Sequence, residues 1–259
     1  MKYYYIKEMN EFGHFDKIKH SLSVSEYTLP IYPIDNYDDI PIDSDYKIIL
    51  TSMIDSVKYC NHPKSIFKGN LISIDTMTNK SKFAEFMINN FNDNHPLCYY
   101  YNYDDITYNH NVITDKMISK PNLGSAGSNI YILYEKENLP NRVISKYIDH
   151  TVYYVGHFIV KNGQIIKKIY FRTHNNDPLL IKCGAITDFD ILNNLGLYND
   201  DIYSNIFTKL NYSGFACADF TIIDNNIIIF EINSRIGGSL FTHSSIAYDF
   251  FKALIDNCI

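Results

Sequence analysis

The chain has 259 residues, 46% of them hydrophobic and 20% charged, enough to bury one substantial core or two to three small lobes. Its formal net charge of −6 argues against nucleic acid or an anionic membrane as principal partner. Five cysteines (Cys60, Cys98, Cys183, Cys217 and Cys258) are odd in number and lack C-x-x-C spacing, which fits reduced thiols in a cytoplasmic protein better than a disulfide framework or a zinc site.

The N-terminus, MKYYYIKEMNEF, lacks the uninterrupted apolar core of a signal peptide, and no run approaches membrane-spanning length. A cytoplasmic protein without a membrane partner is therefore expected. Residues 1–70 carry few signals: Tyr46 to Leu50 read as a buried strand, and the Pro, Asp and Asn between Pro30 and Asp45 mark loops. An amphipathic helix follows from about Asn79, with Phe83, Phe86, Met87 and Phe91 on one face; Lys80 and Lys82 in its first turn read as solvated helix lysines. Strands are expected at 97–103, 115–120, 129–134 and 142–148, and a hairpin joins 152–160 to 164–172 through Lys161-Asn162-Gly163. A helix near 201–210 precedes a second hairpin, and Ala247, Phe250, Phe251, Leu254 and Ile255 give a closing helix one apolar face. Antiparallel hairpins mixed with helices predict an α+β fold, divided here as 1–70, 71–148 and 149–259.

Two segments carry chemistry. Met117 to Pro121 end a strand, and Asn122 to Asn129 then read NLGSAGSN. A loop containing Gly124, Ser125, Ala126, Gly127 and Ser128 can wrap its backbone N–H groups around phosphates, with Lys120 adding a point charge. Most glycine-rich loops are simply turns, and no Gly-Lys-Ser/Thr follows to make this a P-loop.

The second segment runs from Phe215 to Ser239. Phe215–Ile223 and Ile227–Asn233 read as strands around Asp224-Asn225-Asn226. With all three turn residues in the loop, Ile223 pairs with Ile227 and Asp219 falls opposite Glu231, with Asn233 two residues along the same face. Opposed carboxylates repel, so the arrangement makes sense with a divalent cation between them; all-oxygen donors favour Mg²⁺ or Mn²⁺ over zinc. An ordinary hairpin with an acidic solvent face is the alternative. Cys217 shares the parity of Asp219 and reads as a small buried hydrophobe. Arg235 and Gly237-Gly238-Ser239 follow directly, a planar fork for an oxyanion and a backbone open to close approach.

DF, about a dozen residues, then FEIN-x-R-x-GGS, preceded about a hundred residues upstream by KP and a small-residue loop, resembles the ATP-grasp superfamily of carboxylate–amine and carboxylate–thiol ligases. The resemblance implies two α+β lobes clamping ATP, with a short N-terminal lobe. Asp219, Glu231 and Asn233 would hold Mg²⁺ on the phosphates, Lys120 and the Gly124–Ser128 loop would hold the phosphates themselves, and Arg235 would face the transferred phosphoryl or acyl group. It places the nucleotide hinge at Lys146-Tyr147-Ile148 and allows Arg172 toward the phosphates, an exposed strand end being the alternative for Arg172.

The chain departs from the family pattern in three places. Lys146 stands where a hinge acid is usual, Thr151 or Val152 where a ribose-binding Glu is usual, and Asp75 precedes Thr76 instead of lysine. Lys80 or Lys82 would substitute for that lysine from one turn further on, a solvated helix lysine being the alternative. The resemblance implies an ADP-forming ligase that activates a small-molecule or peptide carboxylate as an acyl phosphate and joins it to an amine. A small-molecule kinase on the same fold, or a nucleotide-binding relative without turnover, are the other readings. Oligomeric state is not legible, and no side chain can be named as general base for the amine.

Overall fold

A computed structural model describes residues 1–6, 29–35, 45–67, 70–95, 98–100, 116–123, 129–133, 141–150, 152–174, 189–196 and 201–257. Three sheets and the helices between them form the mixed α+β architecture expected from the sequence.

The first sheet is parallel, in the order β2-β1-β3, from β1 (Lys2–Ile6), β2 (Ile31–Ile34) and β3 (Tyr46–Ile49). Both faces of β1 are covered. Tyr3 and Tyr5 enter one core with Ile31 and Ile49, while Tyr4 enters another with Ile34 and Ile48. A strand buried on both sides has no apolar–polar alternation, so YYYI does not announce itself as one.

Helix α1 (Met53–Tyr59) leads to α2 (Leu71–Thr78) and α3 (Lys80–Asn90). Asn79 separates the last two: its backbone N–H closes α2 on Asp75, and its side chain accepts from Ser81 N at 3.0 Å and Lys82 N at 3.3 Å to open α3. The helix start expected near Asn79 is therefore a side-chain cap. Phe83 and Met87 are buried and Phe86 packs against them. α2 escapes sequence reading because its apolar residues do not form one stripe; Ile74 and Met77 are buried while Leu71 and Ile72 are exposed.

The second sheet is antiparallel, ordered β4-β7-β5-β6, from β4 (Cys98–Tyr100), β5 (Met117–Pro121), β6 (Tyr131–Leu133) and β7 (Arg142–Lys146). The third runs β10-β9-β8-β11-β12, from β8 (Val152–Lys161), β9 (Gln164–His174), β10 (Asp190–Leu192), β11 (Gly214–Ile223) and β12 (Asn226–Asn233). Helices α4 (Ile202–Leu210) and α5 (Ser244–Asp256) complete the chain. The third sheet is buried on both faces. Val155, Phe171, Phe215 and Cys217 meet Phe250, Phe251 and Leu254 of α5 and Tyr3 and Tyr5 of β1, whereas Phe158, Tyr170 and Phe220 meet α2, α3 and α4.

Both long hairpins turn more tightly than their sequences imply. Lys161 pairs with Gln164, so Asn162 and Gly163 alone make the turn, at φ of 51° and 79°. Ile223 likewise pairs with Asn226, not Ile227, around Asp224 and Asn225 at φ of 49° and 63°. The one-residue error is cancelled by a bulge in β12: Phe220 faces Ile229 and Asp219 faces Glu231, leaving Phe230 as the extra residue. The predicted pairing of the two acids thus holds although the predicted turn does not.

Candidate active site

The bulge places Val155, Asp219 and Glu231 in one row across β8, β11 and β12, with His157, Cys217 and Asn233 in the next row on the same face. Asp219 is half-buried and accepts a hydrogen bond from Tyr153. The Asn233 amide donates to Glu231 Oε1 at 3.1 Å.

Three cations from three elements face these acids. Lys80, the first residue of α3, puts Nζ 3.4 Å from Glu231 Oε2, its side chain only 11% exposed. Lys120 at the end of β5 and Arg235 after β12 also act on Glu231. Burial by itself would raise the Glu231 carboxyl; Lys80, Lys120, the Asn233 amide and Arg235 outweigh that and hold it well below the usual carboxylate range. Asp219 responds oppositely. Burial, and then the Glu231 charge beside it, push it up to about 7, against the pull of Tyr153 and Arg235. Two hard-oxygen acids in register, one of them raised by the charge of the other, with an amide oxygen on the same face, are a donor set that a divalent cation suits.

Of the two readings of Lys80, solvated lysine or substitute for an upstream site lysine, its place beside Glu231 disagrees with the first. That description fits Lys82, which pairs with Asp75 where both side chains are about half exposed. The helix start is tied to the strand carrying Lys120: Lys80 N donates to Asn122 O at 2.9 Å, and Ser81 Oγ bonds to Asn122 Oδ1. Arg142 on β7 staples the two flanks of the glycine-rich stretch, donating to Ser119 Oγ at 2.6 Å, Ser119 O at 3.0 Å and Asn129 O, with its guanidinium 4.7 Å from the Tyr131 ring. The loop residues Gly124, Ser125, Ala126, Gly127 and Ser128 lie outside the described residues, as does Thr151.

In the segment where the hinge is expected, Lys146 is exposed, the Tyr147 ring lies 3.9 Å from Lys116 Nζ, and His150 Nδ1 donates to Ile148 O at 2.8 Å. Phe230, the bulge residue, sits 5.1 Å from the His150 ring and 5.6 Å from Lys120 Nζ. Arg172 is not brought to the acids. It faces Tyr154, one residue out of step with the Val155–Asp219 row and hence on the opposite face of the sheet. There it pairs with Asp190 at 2.7 Å. His243 stacks on Phe171 at 6.3 Å, a packing role.

The segment after Asn233 is clamped from both sides. Ser56 Oγ donates to Ser234 O at 3.3 Å, the Thr78 and Ser234 hydroxyls are 3.1 Å apart, and Ile236 N donates to Thr51 O at 3.4 Å. A Cβ on Gly237 would stand 2.3 Å from Cys217 Sγ and 2.7 Å from His157 Cε1, so the turn rests on those side chains and only glycine fits. Cys217 shares the face of Asp219, but it lies buried beneath this turn.

A family profile for the ATP-grasp domain matches residues 77–239, well over half of the chain. No curated protein sequence matches it. Among solved structures, D-alanine–D-alanine ligase from Bacillus anthracis complexed with ATP superposes with a TM-score of 0.63 at 13% identity, covering 99% of this chain and 95% of that one. Phosphoribosylamine–glycine ligase from Thermotoga maritima gives 0.64 at 11% identity, covering 100% and 75%. L-amino acid ligase from Bacillus licheniformis gives 0.56 at 13%, covering 98% and 74%. Among the described residues, no helix is long and apolar enough to cross a membrane. With the profile spanning both the lysine-bearing strand and the paired acids, the chain belongs to the ATP-grasp family.

Proposed function

We propose that this chain is an ATP- and Mg²⁺-dependent ligase that activates a carboxylate as an acyl phosphate and joins it to an amine, releasing ADP. The observation that carries the reading is the convergence of Lys80, Lys120 and Arg235 on the opposed pair Asp219 and Glu231. Cations supplied by separate elements suit a polyanion lying between them. Mg²⁺ held by Asp219, Glu231 and Asn233 would neutralise phosphate oxygens during transfer. Lys80 and Lys120 would bind the phosphates, and Arg235 would face the carboxylate as it attacks. The residues at 1–70 would form the substrate lobe, with 71–148 and 149–259 enclosing the nucleotide. Proteins of this fold include an L-amino acid ligase and a phosphoribosylamine–glycine ligase, which supports the same substrate class here. An ADP-release screen over amino acids and small peptides as paired substrates tests the reading, with mass spectrometry of the products. A phosphorylated hydroxyl in place of an amide would replace it with a kinase.

Lys120→Ala is expected to weaken ATP binding by about 1.5–3 kcal/mol, the magnitude of one charge-assisted contact. Titration calorimetry with ATP and Mg²⁺ measures this, and an unchanged affinity removes Lys120 from the site. The hinge makes a second expectation. Lys146 and Val152 offer no carboxylate to the base or ribose, so ATP should be preferred over GTP by less than about tenfold, roughly 1.4 kcal/mol. Paired titrations decide it, and a strong ATP preference would assign base reading to the backbone of Tyr147 and Ile148.

A further inference from the structure

We propose that Ser239, held by His157, takes the proton released by the attacking amine in the acyl-transfer step. The inference rests on the ligase reading and adds to it the group that receives the amine's proton. His157 is 1% exposed and its ring meets Phe171 edge-on at 5.4 Å, yet its Nε2 lies 2.8 Å from Ser239 Oγ. An imidazole in so apolar a place needs a polar partner, and it has one at the rim of the site. Ser239 is only partly buried, so its hydroxyl touches the buried ring while the residue remains partly exposed.

The position suits the chemistry. His157, Cys217 and Asn233 form the row adjacent to Val155, Asp219 and Glu231. With strands about 4.8 Å apart and same-face neighbours about 7 Å apart along a strand, the His157 backbone stands roughly 8–10 Å from those of Asp219 and Asn233. A separation of that size leaves room for an acyl phosphate between the acids and the group that His157 holds. The close seating of Gly237 on Cys217 and His157 fixes the turn that presents Ser239.

In the tautomer protonated on Nδ1, Nε2 accepts from Ser239. As the amine nitrogen bonds to the acyl carbon, its proton passes to Ser239 Oγ and the serine proton to His157 Nε2. The carbon–oxygen bond to phosphate breaks with its electron pair, and the proton returns through Ser239 to the departing phosphate. One N–C bond forms, one C–O bond breaks, and no other reactant is needed. Ser239 is the catalytic group and His157 positions it and stores its proton.

The test separates the two half-reactions. Hydroxylamine traps acyl phosphates without help from a base, whereas the neutral form of an α-amine, once its nitrogen bonds to the acyl carbon, must hand one proton to a base. Each of the twenty common amino acids serves as carboxylate, with hydroxylamine or the same set of amino acids as nucleophile. Ser239→Ala and His157→Gln should lose amide formation by at least tenfold while hydroxamate formation and ADP release stay within about twofold, and Ser239→Thr should recover most of the amide. Parallel loss of amide and hydroxamate would make the pair a scaffold for the turn and overturn the proposal, as would unchanged amide formation. If His157→Gln does not fold, Ser239→Ala decides alone. Failure of the wild-type protein to make any hydroxamate counts against the ligase reading itself and is seen without any variant.

Discussion

Asp219→Asn and Glu231→Gln are each expected to lower ADP release by about 100-fold or more, while moving metal-free stability in opposite directions. On the proposed reading each removes a ligand charge from the site where charge moves during phosphoryl transfer, so catalysis suffers in both. Stability differs because the neighbours differ. Asp219 is raised by burial and by the Glu231 charge, so neutralising it removes a repulsion and should raise the melting temperature in EDTA. Glu231 answers Lys80, Lys120 and Arg235, so Glu231→Gln leaves Lys80, 11% exposed, against a neutral amide and should lower it. The pH dependence follows with a definite sign. The folded pKa of Asp219, about 7, lies above its ordinary 3.8, so the metal-free folded protein holds a proton that the unfolded chain has released. The stability from this group is fully present below about pH 4 and is lost as pH rises toward 7, by at most about 1.4 kcal/mol per pH unit for one proton. Asp219→Asn should flatten that slope. Melting curves across pH in EDTA, together with turnover, check all three statements. Near-normal ADP release in both variants, or a fall in melting temperature with activity preserved per folded molecule, would return the hairpin to an ordinary acidic surface.

The pairing of Asp219 with Glu231 was legible from strand alternation, but for a reason that was not. DNN offers turns of two or three residues, and a bulge at Phe230 leaves no mark in side-chain chemistry, so two unreadable features cancelled. Lys80 shows a different limit. The cap at Asn79 and the stripe of Phe83 and Met87 locate the helix, yet which of Lys80 and Lys82 turns inward depends on where β12 crosses, and that is tertiary information. Arg172 fails for the same reason. Its parity against Asp219 is set by register across β8, which no local signal fixes. The His157–Ser239 contact spans 82 residues and joins a strand interior to a turn. The one available sign was a polar residue inside VYYVGHFIV, an otherwise apolar strand buried at its far end. In the N-terminal sheet Tyr46–Ile49 is legible as a strand, whereas β1 is not, because burial on both faces erases the alternation that marks a strand. β2 at Ile31–Ile34 overturns the loop expected there, Pro30 and Pro33 having masked it.

Lys80→Met should uncouple metal binding from nucleotide binding. In this structure Lys80 supplies a positive charge to Glu231 at 3.4 Å, and a divalent cation would need the same carboxylate. The two therefore compete, and a cation can displace Lys80 most easily when phosphates offer the ammonium another partner. Methionine keeps much of the apolar stem and removes the charge. Without nucleotide, Mn²⁺ should then bind Lys80→Met about tenfold more tightly than the wild-type protein, roughly 1.4 kcal/mol, because nothing has to leave Glu231. ATP should bind about ten- to hundredfold more weakly, since one charge-assisted contact to phosphate is gone. Metal-free Lys80→Met should also be less stable, because burial acts on Glu231 without its nearest cation, and Mn²⁺ should restore more of the melting temperature than it does in the wild-type protein. Electron paramagnetic resonance of Mn²⁺ and calorimetry with ATP read the two affinities separately. Unchanged Mn²⁺ affinity together with unchanged ATP affinity would make Lys80 a plain structural partner of Glu231. A weaker Mn²⁺ site would mean that Lys80 organises the acids instead of competing for them.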